Sequence, residues 1–272
     1  MKTGYQIAFV IVFSVVLLCD ITEAKLTKDE VYLAFTQAND AFAKANQAAD
    51  DTQQAQTFYQ DAIDGYERII GSGEIHNAKL FYNLANSYLL TDDLGRAILN
   101  YRRAQRLDGS NPDIHKNLNF ARGKRTDQFA VTTQKKILER LFFWHYDFSM
   151  ETRFIIGGSC FAVFCIWLLL RLWLVRWPVV APVCCIMMLI SIAMIVSVAV
   201  EQYALATHRS GVIISNAVIA RQGDGDNYPE SFNEPLNAGV EFDVIEQRPG
   251  WFHIELSNGQ DTWIPTQSAE LI

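Results

Sequence analysis

The stretch "LLLRLWLVRWPVV" (residues 168–180) carries two charges, Arg171 and Arg176, and lies between two apolar runs. No charged residue occurs from Phe154 to Leu170, and none from Pro178 to Val200. A helix needs roughly 20 apolar residues to cross a hydrocarbon core about 30 Å thick. Residues 154–175 and 178–200 meet that length, with Arg171 as an end residue whose long side chain reaches the interface. A buried hairpin of a soluble protein is the alternative, but an uncharged run as long as Pro178–Val200 favours two spans joined by a tight basic bend.

A third apolar block opens the chain. "MKTGYQ" contributes one Lys, "IAFVIVFSVVLLC" is uncharged, and "DITEAKLT" turns polar. This order predicts a secretory signal over residues 1–24, cleaved after Ala24, with an uncleaved anchor or a lipid-modified Cys19 as alternatives. In each version the chain beyond this block is exported. The expected location is therefore the inner (cytoplasmic) membrane, with Arg171 and Arg176 in the cytoplasm and both soluble parts on the periplasmic side. Lys135, Lys136, Arg140 and Arg153 precede the first span and argue the other way by simple charge counting. An export signal outweighs them, because it commits the downstream segment whatever its flanking charge.

The five cysteines offer no disulfide framework. Cys19 falls in the signal, and Cys160, Cys165, Cys184 and Cys185 fall in the spans. Charge is unevenly spread: residues 25–153 hold seventeen basic and seventeen acidic side chains, whereas residues 204–272 hold three basic against ten acidic. That acidic tail is expected to avoid nucleic acid and anionic lipid.

Between signal and membrane, residues 25–125 read as helices in which alanines alternate with aromatics. In "LFYNLANSYLLTDDLGRAILNYRRAQRLD" (80–108), Phe81, Leu84, Ala85 and Tyr88 share one face, "TDDLG" supplies a turn, and Ala97, Tyr101 and Ala104 line a second helix. The run resembles a tetratricopeptide repeat at seven of eight diagnostic positions, with Gly109 where a Pro is usual. "AFTQANDAF" and "DAIDGYERII" resemble an earlier unit, with Ala62 and Tyr66 in register with Ala97 and Tyr101, and "NPDIHKNLNFARGKR" begins a later one. By analogy with such arrays, Tyr82, Asn83, Asn86 and Asn117 are expected on a concave protein-binding surface; ordinary solvent-facing positions are the alternative. His76 and His115 are expected at exposed loop or cap positions. Residues 126–153 form a basic juxtamembrane linker.

From residue 208 the period changes to two. "GVIISNAVIARQG", "EFDVIEQRPG", "WFHIELSNG" and "DTWIPTQSAELI" predict five short strands in a small barrel, with a hairpin at "SNG". The pattern "GWFHIEL..GQDTWIP" resembles bacterial SH3-like domains, except that Thr262 replaces the Gly usual before the second Trp. By that resemblance, Tyr228, Phe232, Trp251 and Trp263 are candidates for a peptide or ligand groove, edged by Asp224, Asp226, Glu230 and Glu234. Trp251 and Trp263 as core residues are the alternative.

The fold class expected is thus a multi-domain membrane protein: an all-α tetratricopeptide-like array, a two-helix transmembrane hairpin and a small all-β SH3-like barrel over 208–272. No phosphate loop, HExxH or G-x-S-x-G motif occurs, and "GDGDN" lacks the spacing of a calcium loop, so no enzyme, cofactor or metal is expected. The whole order resembles the BatE-type proteins of the Bacteroides aerotolerance operons. That resemblance implies an adaptor in a membrane complex with von Willebrand A-domain membrane proteins and a MoxR-type ATPase system. A cell-envelope receptor that binds peptidoglycan is the rival expectation.

Overall fold

The computed structural model describes residues 26–48, 51–72, 77–130, 132–173 and 180–272; the expected signal over 1–24 and the bend after Trp173 lie outside them. The chain is mostly helical, with one five-stranded antiparallel sheet at its C-terminal end. It divides into two compact units, one ending at His76 and one beginning at Asn77.

The first unit is a helical hairpin of α1 (Lys28–Gln47) and α2 (Thr52–Gly71). Thr27 starts α1 through a capping box with Glu30, and Asp51 caps α2 by accepting from the Gln54 amide, so both helices begin where orphan N–H groups find side-chain oxygens. Ala34, Ala38, Ala45, Ala55 and Ala62 are buried along the seam, which lets the helices approach closely. Between the alanines a three-residue clamp recurs. Phe35 packs on Tyr66 with ring centroids 6.0 Å apart, and the Tyr66 hydroxyl donates to Asn39 Oδ1 at 2.7 Å. Two turns along, Phe42 packs on Tyr59 at 5.6 Å, and the Tyr59 hydroxyl donates to Asn46 Oδ1 at 2.8 Å. The source is a seven-residue sequence repeat, "AFTQAND" then "AFAKANQ", facing tyrosines at the same spacing on α2.

The second unit opens with α3 (Ala78–Leu90), α4 (Leu94–Leu107) and α5 (Pro112–Gly123), capped by Asn77, Asp93 and Asn111 respectively. The expected turn at "TDDLG" is present, with Asp92 at φ 61°, a left-handed conformation that Asp tolerates. The same clamp appears here: Tyr82 packs on Tyr101 at 6.0 Å, and the Tyr101 hydroxyl donates to Asn86 Oδ1 at 2.5 Å. Asn86 and Tyr101 lie 15 residues apart, against 27 for Asn39 and Tyr66. The first hairpin is therefore an elongated version of the second, as its extra length in sequence suggests.

After the short helices α6 (Thr133–Leu141) and α7 (Phe143–Asp147) come two long apolar ones, α8 (Met150–Trp173) and α9 (Val180–Thr207). Within them, 150–171 and 181–204 are long and apolar enough to cross a membrane. α8 starts four residues before its uncharged run, and α9 extends seven residues beyond its own. The two pack antiparallel along a line of small side chains: a Cβ on Gly157 would lie 3.1 Å from the Met194 Cβ, and Ser191 and Cys184 are buried. The four cysteines here are free thiols, with Cys184 buried, Cys160 and Cys165 partly buried and Cys185 exposed. At one end, Arg153 reaches across to Glu201 and donates to the Ser197 hydroxyl at 2.7 Å, with His145 Nδ1 beside both.

The sheet comprises β1 (Arg209–Ile213), β2 (Glu241–Arg248), β3 (Trp251–Leu256), β4 (Asp261–Pro265) and β5 (Ala269–Leu271), in the order β4-β3-β2-β1-β5. Alternation in "WFHIEL" puts Phe252, Ile254 and Leu256 into a core shared with Ile213, Phe242 and Ile264. The long segment after β1 returns along the outer edge of β4, where Arg221 pairs with Trp263 through two backbone hydrogen bonds. Thr262, the departure from the expected Gly, is buried and donates from Oγ1 to the Arg221 carbonyl at 3.0 Å, fastening that return. The hairpin at "SNG" is a three-residue loop in which Gly259 alone takes positive φ (82°), so Asn258 does not adopt the left-handed conformation that a two-residue Asn-Gly turn requires.

The clamp in the first unit is open to measurement. Asn46→Ala removes the acceptor from the buried Tyr59 hydroxyl and should cost about 1 kcal/mol. Tyr59→Phe should cost a similar amount and the double variant no more than either alone, read by denaturant unfolding of the full chain in detergent.

Candidate binding site

The second unit brings the helices α4 and α5 onto the sheet, and this contact decides where every candidate residue lies. Gly95, in the first turn of α4, meets the backbone after β1: a Cβ there would lie 2.8 Å from the Ile214 Cα and 2.9 Å from the Ile213 carbonyl. Only hydrogen fits. Beside this close approach, Glu241 at the start of β2 accepts two hydrogen bonds of 2.7 Å from Arg122 Nε and Nη2. Arg102 Nε lies 3.3 Å and Arg125 Nη1 3.5 Å from the same carboxylate. Arg103 donates to the Leu271 carbonyl at 2.8 Å and Arg106 to that of Ile272 at 3.1 Å, so the arginines of "YRRAQR" grip the last strand as well.

Burial alone would raise the Glu241 carboxyl, but the Arg122 hydrogen bonds and the charges of Arg122, Arg102 and Arg125 outweigh it and hold it below its ordinary value of 4.5. A carboxyl depressed by folding contributes stability above its unfolded pKa and loses it as pH falls through the folded value. The pin is accordingly intact at neutral pH and weakens progressively below about pH 4.5.

Of the residues expected on a concave helical surface, three meet in one cluster. Asn117 Nδ2 lies 2.9 Å from the Tyr82 hydroxyl and 3.0 Å from Asn86 Oδ1, which also accepts from Tyr101. Their polar groups bond one another, and burial pushes the Tyr101 hydroxyl well above its ordinary pKa. The cluster therefore joins α3, α4 and α5. Asn83 is half-buried, and its backbone carbonyl accepts from Ser87. His115 closes the α4–α5 connection, with Nε2 2.6 Å from the Gly109 carbonyl.

The four aromatics expected at a groove differ in their settings. Trp263 is buried, sandwiched between the His253 ring at 4.6 Å and the Arg248 guanidinium at 4.9 Å. Phe232 packs against the sheet core and against Phe129 of the linker. Tyr228 is 43% exposed and lies flat over Gly223. Trp251 alone lines an open groove of about 540 Å³, together with Ala217, Ile219, Arg221, Pro265 and Gln267. Strand parity does not separate the two tryptophans, because the register pairs Trp251 with Pro265 and His253 with Trp263 and so puts both on one face; Tyr228 and Phe232 lie outside the strands.

The groove has a strained wall. Ala217 sits at φ 56°, an uncommon conformation for a residue with a Cβ. Its amide donates to Asn237 Oδ1 at 3.3 Å, and Asn237 is held by Asp127, whose carboxylate accepts from the Asn237 amide at 2.6 Å. The linker at Asp127 is thereby tied to the groove. The polar groups of the groove are engaged within the protein: Ser268 donates to the Pro265 carbonyl, and the lining carboxylate Asp226, 92% exposed, lies 3.7 Å from Arg221. Among the described residues no group of three His, Cys, Asp or Glu side chains could hold a metal ion.

Compared with models of known protein families and with curated proteins, the chain matches none of them.

Glu241→Gln should destabilise the second unit by about 2–3 kcal/mol, near the low end for breaking a buried pair because the arginines stay partly exposed. It should also flatten the acid limb of the stability curve below about pH 4.5; thermal unfolding across pH checks both. Gly95→Val should loosen the same contact, read as faster amide exchange in β1 and α4.

Proposed function

We propose that this chain is a non-enzymatic membrane adaptor: α8 and α9 cross the bilayer as a hairpin, and the helical and sheet modules lie together on the extracytoplasmic side. The observation that carries the proposal is the Arg102–Arg122–Arg125 grip on Glu241, with Gly95 against β1. Segments before and after the apolar pair can touch only if they share a compartment, which two crossings provide and one does not. The apolar, lipid-ready flanks of α8 and α9 support the same reading, since Phe154, Ile155, Leu169 and Leu189 are each more than 60% exposed.

On this reading the helices before the membrane are tetratricopeptide-like, supported by the recurring aromatic–Tyr–Asn clamp and the small residues between it. The sheet is a bacterial SH3-like barrel, supported by the strand order and by the return of the Arg221 segment onto β4. The resemblance to BatE-type proteins then suggests von Willebrand A-domain membrane proteins and a MoxR-type ATPase system as neighbours. The Trp251 groove favours a second reading, a receptor whose sheet module takes peptidoglycan or a peptide, because it combines an aromatic wall, polar ends and a strained residue.

Two measurements test these readings. A reporter that fluoresces only in the cytosol, fused after Ile272, should stay dark; a bright fusion would defeat the topology. Affinity capture of the full chain from solubilised membranes should retain von Willebrand A-domain proteins equally well with Trp251→Ala. Binding of soluble muropeptides that Trp251→Ala abolishes, without such protein partners, would favour the receptor instead.

A further inference from the structure

We propose that α6 and the aromatic turn after it lie flat on the bilayer surface, with anionic phospholipid headgroups as their partner. The proposal rests on the reading of α8 and α9 as spans. In α6, Ile137, Leu138 and Leu141 are 60%, 47% and 61% exposed, and their spacing puts them on one helical face. Phe142 and Phe143 come next, 42% and 50% exposed. Five bulky apolar side chains facing outward within seven residues form a patch that water alone does not explain.

Continuity and charge select the occupant. Phe142, Phe143, Trp144 and Phe148 stack edge-to-face in sequence, with centroids 5.5 to 6.1 Å apart. That aromatic run ends two residues before α8 begins, and the next bulky exposed apolar residues are Phe154 and Ile155 of α8 itself. Aromatics at this depth mark the headgroup boundary of a spanning helix. The sequence of α6 also holds Lys135, Lys136 and Arg140 against one acid, Glu139, the composition of an interfacial helix on anionic lipid. The rest of the module suits the arrangement. The linker just before α6 is fastened to the sheet, with the Phe129 carbonyl accepting from Ser257 and Thr132 next to Gly259. The sheet itself carries the acidic excess and would be repelled by the same lipid.

The test uses the full chain with its cysteines replaced by serine, reconstituted in lipid nanodiscs, and spin labels placed one at a time. The sites are Leu138, Leu141, the exposed Lys124 at the end of α5, and Val163 within α8. With phosphatidylglycerol present, labels at 138, 141 and 163 should collide with oxygen more than with a water-soluble nickel chelate, and the label at 124 should do the reverse. Pure phosphatidylcholine, or Lys135→Gln, Lys136→Gln and Arg140→Gln together, should raise chelate access at 138 and 141 severalfold while leaving 163 unchanged. Chelate access at 138 and 141 in anionic discs, with 163 still shielded, overturns the proposal and spares the spans. Shielding from both probes there points to a protein partner and overturns it too. Insensitivity to lipid charge and to the triple substitution overturns the headgroup assignment, and chelate access at 163 overturns the span reading beneath it.

Discussion

A carboxylate surrounded by three guanidiniums holds the second unit together. Glu241 stands where β2 begins, with Arg102 of α4, Arg122 of α5 and Arg125 just after α5 around it. Desolvating these charges is expensive, and their attraction compensates only in the geometry found, with two short bonds from Arg122 and a glycine letting the α4 backbone reach the sheet. The consequence is directional. Helices α3 to α5, which precede the apolar pair, and strands that come after it become one body, and Asp127 extends that body through Asn237 to the wall of the Trp251 groove.

Local patterns were legible and long-range ones were not. The paired helices around the turn at Asp92 and the strands could be read because small–aromatic alternation and period-two runs act over a few residues. The elongated first hairpin could be suspected from its extra length. The seven-residue repeat within it, "AFTQAND" beside "AFAKANQ", takes on meaning only once the facing tyrosines of α2 are in place. The grip on Glu241 had only a weak signature: arginines crowded into "YRRAQR" and "ARGKR", and an acidic surplus in the tail. Nothing in spacing says which of ten acids they meet. The groove suffered most, since burial sorts Trp251 from Trp263, and burial depends on how the segment after β1 folds back.

The apolar pair shows a similar division. Its length and lack of charge are written in the sequence, whereas its seam is not. Arg153, counted among the basic residues before the first uncharged run, lies in α8 and sits against Glu201 and Ser197 of the neighbouring helix, so its charge is balanced within the pair. Close contact at Gly157 and the polar group at one end complement each other: dispersion holds the middle, hydrogen bonding fixes the register.

The recurring clamp in the first hairpin makes its length adjustable in discrete steps. Adding or removing seven residues on each helix moves both partners by two turns and returns every aromatic to its tyrosine and every asparagine to its hydroxyl. Any other increment would swing the seam by about 100° per residue and strand those groups. The hairpin thus behaves as a ruler graduated in heptads, able to change its reach without renegotiating how its two helices meet.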